Sequence, residues 1–249
     1  MKLKLRFALA VFFLLVFSIF LMVISSSFFN VLYDDSFFTR SFEKNNVYEI
    51  MDVPDLKALE VIAFLNGENL NLSHSNPPFH DIQFTQEEVD HFKDVRDLIL
   101  TFRNIYFISF GIFVTLLSAF VFNLVLKYKG TAHFKRKLSQ FFIKLQISVL
   151  LVSAVFLFVS WLFAFFGFRW LFDRFHHVFF EAGTWTFSQD SLSILMFPEN
   201  FFYDFFIAFL FNIFVFLAMI AILLFFVIYL SKVSSRHGSV DKSDIPKKN

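Results

Sequence analysis

No cysteine occurs anywhere in the 249 residues. Disulfides, thiol nucleophiles, thiolate metal sites and iron–sulfur clusters are therefore excluded together, and no acyl-enzyme formed here can be a thioester. Glycine is nearly as scarce, with six residues, and none stands in a Gly-x-Ser-x-Gly elbow, a phosphate-cradling loop or a dinucleotide fingerprint. A serine hydrolase and a nucleotide-driven pump are thereby disfavoured. The His-Glu-x-x-His spacing of zinc peptidases is missing too, so His74 and His80, in a Pro-Pro loop, lack the convergent partners that a zinc ion needs. Neither a metal nor a cofactor is expected.

The chain is rich in apolar side chains: 57% of its residues are apolar and 45 are phenylalanine, with a mean hydropathy of +0.64. Soluble globular chains carry roughly 45–50%. Four apolar runs reach the roughly 20 residues needed to cross a bilayer core: about 7–29, 105–126, 138–166 and 203–230. The first ends at Ser25 to Ser27, which mimics a cleavable signal, but its apolar stretch is long for that class and a retained helix is expected. The fold class is accordingly an all-α membrane protein with four transmembrane helices. Residues 1–231 are expected to form one membrane-embedded domain and residues 232–249 a disordered cytoplasmic tail.

Charge sorts the loops by side of the membrane. Basic residues cluster at Lys2, Lys4 and Arg6, at Lys127 to Lys137, and in the tail from Lys232 to Lys248, which places these segments and both termini in the cytoplasm. Between Asn30 and Phe102, fourteen acidic residues face five basic ones, a net charge of −9, so outer segments are expected at about 30–104 and 167–202. Lys144 is read as an inner-headgroup anchor. Asn123 and Asn212 are the strongly polar side chains within spans and are expected to bridge helices.

The first outer segment carries a specific helix start. Thr85 caps, Glu88 follows three positions later, and Phe84 and Val89 occupy the staple positions, so a helix begins at Gln86. His91 shares a stripe with Val95, Leu98 and Phe102 and would face packed protein or the membrane surface. A second short helix is expected over Val53 to Leu65, with Pro54 in its first turn. In the second outer segment, Phe168 to Phe180 reads as an interfacial amphipathic helix, with Leu171, Phe175 and Val178 on one side and Arg169, Asp173, His176 and His177 on the other. Trp170 and Trp185 suit the headgroup level.

Three outer histidines stand out: His91, His176 and His177. Imidazole serves packing as readily as catalysis, but two segments offer one to the same lipid depth. Asp173, three and four residues before the pair, is placed to orient one imidazole, or alternatively to pair with Arg169.

Three passages resemble the Lit lipoprotein intramolecular transacylases of low-GC Gram-positive bacteria. They are Phe84-Thr85 through His91 to Asp94-Val95; Phe175-His176-His177 through Phe180 to Thr184-Trp185 and Phe187; and Leu192 through Phe197-Pro198-Glu199 to Phe202. The resemblance covers most of the chain and is weakest around Leu72 to Phe79. It implies that His91 and His176 are the two catalytic histidines, with His177, Asp173, Asp94 and Trp185 supporting or alternative. His177 departs from the family pattern. The implied activity is an O-to-N acyl shift from the sn-2 ester of a diacylglyceryl-cysteine lipoprotein to its own α-amino group, at the extracellular face of a bacterial cell membrane. Such a reaction, from ester to amide, needs no cofactor, and the implied partners are diacylglyceryl-modified lipoproteins and membrane lipids, with no nucleic acid. The sequence carries no signal of oligomeric state. His91 is the first choice for the base and His176 for the oxyanion or leaving-group partner.

One difficulty is geometric. A straight helix from Gln86 would hold His91 about 20 Å above Ile105, at 1.5 Å per residue, so a bend or break is expected between about Asp97 and Asn104, or a helix lying along the surface. The competing reading is a non-enzymatic four-helix scaffold or sensor whose acidic outer segment, including Glu87 to Asp90, binds a protein partner. A transporter is disfavoured, since paired broken helices are missing.

Overall fold

The computed structural model describes residues 2–51, 54–68, 72, 83–128 and 132–240. These are helical apart from short connections: α1 (Lys2–Leu32), α2 (Asp35–Lys44), a 3₁₀ turn (Val47–Glu49), α3 (Pro54–Leu65), α4 (Gln86–Tyr128), α5 (Ala132–Phe166), α6 (Phe168–Phe179), α7 (Leu192–Met196) and α8 (Glu199–Val240). No strand occurs among the described residues. Four helices, α1, α4, α5 and α8, are long and apolar enough to cross a membrane. Within hydrocarbon, helices can satisfy every backbone N–H and C=O internally, and apolar residues all round, rather than on one face, mark them as spans.

The chain divides into two compact units. The first comprises residues 1–23, 108–156 and 214–249, which hold one end of each long helix. Leu15 and Val16 of α1 pack there against Leu145 and Val149 of α5. Phe141 stacks on Phe120 with centroids 3.7 Å apart and meets Phe12 edge-on at 6.0 Å, aromatic geometries that add to simple burial.

The second unit comprises residues 24–107 and 157–213. Its core joins Phe42 of α2, Val47, Phe64 of α3, Phe92 and Ile99 of α4, and Met196 to Phe201. Fully burying each ring such as Phe42 or Phe64 contributes about 1.5–3 kcal/mol. Around this core, α2 is pinned by polar contacts to one carboxylate: Asp204 of α8 accepts from Lys44 and from Asn45, the latter at 3.3 Å. Lys57 is completely buried but paired with Glu60 at 2.7 Å.

The helix-start motif forms as its residues dictate. Glu88 Oε2 accepts from the Thr85 backbone N–H at 2.7 Å, and Thr85 Oγ1 accepts from the Glu88 N–H at 3.3 Å. Phe84 and Val89, the staple pair, are both buried. The helix expected at Val53 to Leu65 forms with Pro54 as its first residue. The structure departs from expectation at four points. First, α4 is one continuous helix through residues 97–104, so the break, one of the alternatives expected there, does not form. The only local irregularity there is a Thr101 hydroxyl donating back to the Asp97 carbonyl at 2.8 Å, a back-bond of the kind that bends helices slightly without ending them. Second, α8 continues to Val240, beyond the start expected for an irregular tail. Third, Asn123 donates to Ala119 of its own helix at 2.8 Å and bridges to no other helix among the described residues, while Asn212 accepts from Asn30 of α1 at 3.5 Å and so does bridge. Fourth, the side of α6 read as polar is split: Arg169, Asp173 and His177 are exposed while His176 is buried. The buried line is His176 and Phe180 with the partly buried Phe168 and Phe172, and Val178 is 73% exposed.

Candidate functional site

The buried arc of α6 makes the site. His176 lies on the buried face, and its ring comes to 6.3 Å from that of His91 on α4, the two planes inclined by only 24°. Their elements are held together by one residue of the helix start. Glu88, buried and one turn before His91, accepts from both the backbone N–H and the hydroxyl of Ser193 with its Oε1, each at 2.7 Å. The same carboxylate therefore caps α4 and fastens α7, at the far end of the loop that carries Trp185 and Phe187. Burial pushes its acidity down, but the hydrogen bonds from Ser193 and Thr85 outweigh that and hold the carboxyl below its ordinary range, hence ionised.

Aromatic rings enclose the imidazoles. His91 meets Phe180 at 4.8 Å and Phe187 at 5.5 Å, both edge-on. His176 lies 4.2 Å from Phe172 and 4.7 Å from Trp185. Such a lining excludes water and disfavours charge, so burial, reinforced by the nearby His176, pushes the His91 pKa down to about 4. Burial lowers that of His176 as well, partly opposed by its hydrogen bond to Phe172 and by the Asp173 charge. Both rings are neutral at pH 7.

Tautomers follow from the partners. His176 Nδ1 lies 2.7 Å from the Phe172 carbonyl oxygen. A carbonyl can only accept, so Nδ1 carries the hydrogen and Nε2 keeps its lone pair. Two polar atoms at the site are buried and find no hydrogen-bond partner among the described residues: His91 Nδ1 and Trp185 Nε1. Buried polar groups are nearly always paired, and these two lie beside the two imidazoles.

The other expected site residues are placed differently. His177 is exposed; its Nδ1 bonds the Asp173 backbone carbonyl at 2.7 Å, and its ring touches Trp185 at 5.2 Å from the other side. The Asp173 side chain is exposed and, among the described residues, forms neither a hydrogen bond to an imidazole nor an ion pair with Arg169. Main-chain carbonyls one turn back orient both rings instead, a service any residue type would provide, which is why it is invisible in the sequence. Asp94, one turn after His91, is exposed. Phe172, Phe180 and Phe187 were not singled out in advance, since among 45 phenylalanines nothing distinguishes them. His74 and His80 lie outside the described residues. Among the described residues no three histidine or acidic side chains gather as a metal would require.

Four apolar helices long enough to cross a membrane, and a histidine pair enclosed by aromatic rings between α4 and α6, describe an integral membrane protein. A family model described as lipoprotein intramolecular transacylase Lit matches residues 11–202. The chain belongs to this family and is a membrane-integral lipoprotein transacylase. The fold is similar to the crystal structure of the transacylase Lit from Bacillus cereus, with a TM-score of 0.70 at 16% identity, covering 92% of this chain and 99% of that one. It is likewise similar to two variants of that protein in which a histidine is replaced, by arginine (TM-score 0.70, 16% identity, 94% and 97% coverage) and by alanine (TM-score 0.69, 16% identity, 94% and 100%). No curated protein sequence matches.

Proposed function

We propose that the protein moves the sn-2 acyl chain of a diacylglyceryl-cysteine lipoprotein onto the α-amino group of that same cysteine, giving an N-acyl, monoacylglyceryl product. The observation that carries this reading is the pairing of two neutral imidazoles at 6.3 Å among aromatic rings, with His91 Nδ1 and Trp185 Nε1 buried and without partners among the described residues.

The tautomer of His176 recommends it as the base, the reverse of the first choice from sequence. Its Nε2 lone pair takes a proton from the amine as the nitrogen attacks the ester carbonyl carbon. The oxygen that becomes negative in the tetrahedral intermediate is met by an N–H of His91 and by the indole N–H of Trp185. When the carbon–oxygen bond to glycerol breaks, the proton held by His176 passes to the departing glycerol oxygen. Atoms and protons then balance without a cofactor. Donor and acceptor arrive in one molecule, so folding the substrate into a medium-sized ring supplies much of the rate, and the tight aromatic walls favour that compact form.

The helix continuity leaves His91 roughly 20 Å along α4 from Ile105. In the orientation read from the basic loops, this places the pocket at the outer face. Lipid nevertheless reaches it along α6, whose outward side chains Trp170, Phe175, Val178 and Phe179 are exposed and apolar. An exposed patch of this kind marks a membrane contact.

The test is mass spectrometry of a lipoprotein N-terminal peptide from cells making the diacylglyceryl form, with the wild-type protein, His91→Ala or His176→Ala. An N-acylated peptide of unchanged mass, lost in both variants at equal membrane expression, is the expected result. Near-normal product from both variants would overturn the assignment.

A further inference from the structure

Of the second unit's cations that form no ion pair among the described residues, Arg103, Arg169 and Arg174, only Arg103 is partly buried. Arg103, on α4 just before the apolar run that begins near Ile105, is partly buried and forms no ion pair among the described residues. Glu68, close enough to influence Tyr33 by charge, does not pair with it either. The segment around Arg103 is otherwise strongly acidic, so a lone arginine there calls for a reason.

The cleft it lines supplies one. An open cavity of about 290 Å³ lies between α1 and α4, with Ser26, Asn30 and Tyr33 on one wall and Arg103 and Tyr106 on the other. The spacings of four and three on α1, and of three on α4, put each set on one helix face. Two of these groups are fixed in place: the Tyr33 hydroxyl donates to Asn66 at 2.6 Å, and the Asn30 amide donates to Asn212. The guanidinium and the Ser26 and Tyr106 hydroxyls are donors that form no side-chain hydrogen bond among the described residues. Phe107, next to Arg103, also lines the cleft and is 61% exposed. The cleft therefore pairs a donor-rich, positively charged wall with a lipid-facing ring, at the end of two membrane spans where headgroups lie.

We infer that this cleft holds the phosphodiester headgroup of an anionic phospholipid, with Arg103 on the phosphate oxygens and an acyl chain running down past Phe107. Arginine is the side chain best matched to phosphate, through two parallel N–H donors. None of the lining residues belongs to the histidine pocket, so this is a second lipid site; it depends on the proposed orientation only for which leaflet supplies the lipid, not for the binding itself.

Native mass spectrometry of the detergent-purified protein tests it without any turnover. Incubation with phosphatidylglycerol, with phosphatidylcholine or with inorganic phosphate, each at the same concentration, compares the three sources of phosphate. Phosphatidylglycerol should be retained, and retained about tenfold less by Arg103→Gln, the loss expected for a charge-assisted hydrogen bond. Arg103→Lys, which keeps the charge and guards against a folding defect, should retain an intermediate amount. Equal retention of phosphatidylglycerol by wild type and both variants, equal retention of phosphatidylcholine by the wild type, or displacement of the lipid by inorganic phosphate would each overturn the inference.

Discussion

Replacing Trp185 with Phe removes one N–H and leaves a ring where the indole stood. Trp185 packs at 4.7 Å from His176 and 5.2 Å from His177, while its Nε1 is buried without a partner among the described residues. If that N–H meets the oxygen that gains charge during acyl transfer, the change deletes one donor from an oxyanion site. Such deletions cost about 2.7–4 kcal/mol, or roughly 10²–10³-fold in kcat. The donor acts on the intermediate rather than the ground state, so KM should hardly move. Time courses of N-acyl product from a diacylglyceryl lipopeptide in detergent, followed by mass spectrometry, give both constants. The thermal midpoint of the same preparation reports whether the smaller ring loosens the pocket. Hydrophobic swaps of similar volume usually cost less than about 1.5 kcal/mol. A fall in kcat below about tenfold, with the midpoint unchanged, would show that the indole only packs and would refute the oxyanion role.

Further outcomes follow from the same geometry. His177→Ala should keep activity within about threefold while His176→Ala loses it, because only the latter ring faces His91. Asp173→Asn should be equally mild, since a backbone carbonyl rather than the carboxylate holds His176; a large loss, measured by the same product assay, would restore the carboxylate as the orienting group. Glu88→Ala strips the partner from the Thr85 and Ser193 donors, and each buried orphan costs about 1–3 kcal/mol. A drop of several degrees in thermal midpoint is expected, together with reduced turnover as the Trp185 loop loosens. For pH, the folded-state pKa of His91 is depressed to about 4 and that of His176 is lowered too. The unfolded chain therefore takes up protons first, so this contribution to stability is complete above about 6.5 and declines as pH falls toward 4. NMR titration of labelled histidine should find the His91 ring still neutral at pH 5, and a midpoint near 6.5 would contradict its enclosure.

Much of this was legible in the chain because strong local signals govern it. Apolar runs of spanning length, the Thr85 to Glu88 capping box and Pro54 in a first turn each name their own structure. The resemblance supplied His91 and His176, and the fold places those two rings together. What escaped depends on contacts between distant segments. On a helix as rich in rings as α6, hydrophobicity cannot say which arc turns inward, and the His176 arc won because Phe172 and Phe180 flank it. Glu88 was visible as a cap, but its second bond partner lies 105 residues away. The break, one of the alternatives expected in α4, does not form, and residues 97–104 hold neither proline nor glycine to end the helix.

The central claim is that the acyl chain stays within one molecule. A crossover experiment tests it most directly: two diacylglyceryl lipopeptides of different sequence, one with deuterated acyl chains, are mixed and treated with the purified protein. The account predicts N-acylated products that each keep their own isotope label, with no exchange between the two sequences. A light acyl chain on the amine of the heavy peptide, at a level rising with peptide concentration, would contradict it and make the reaction an intermolecular transfer.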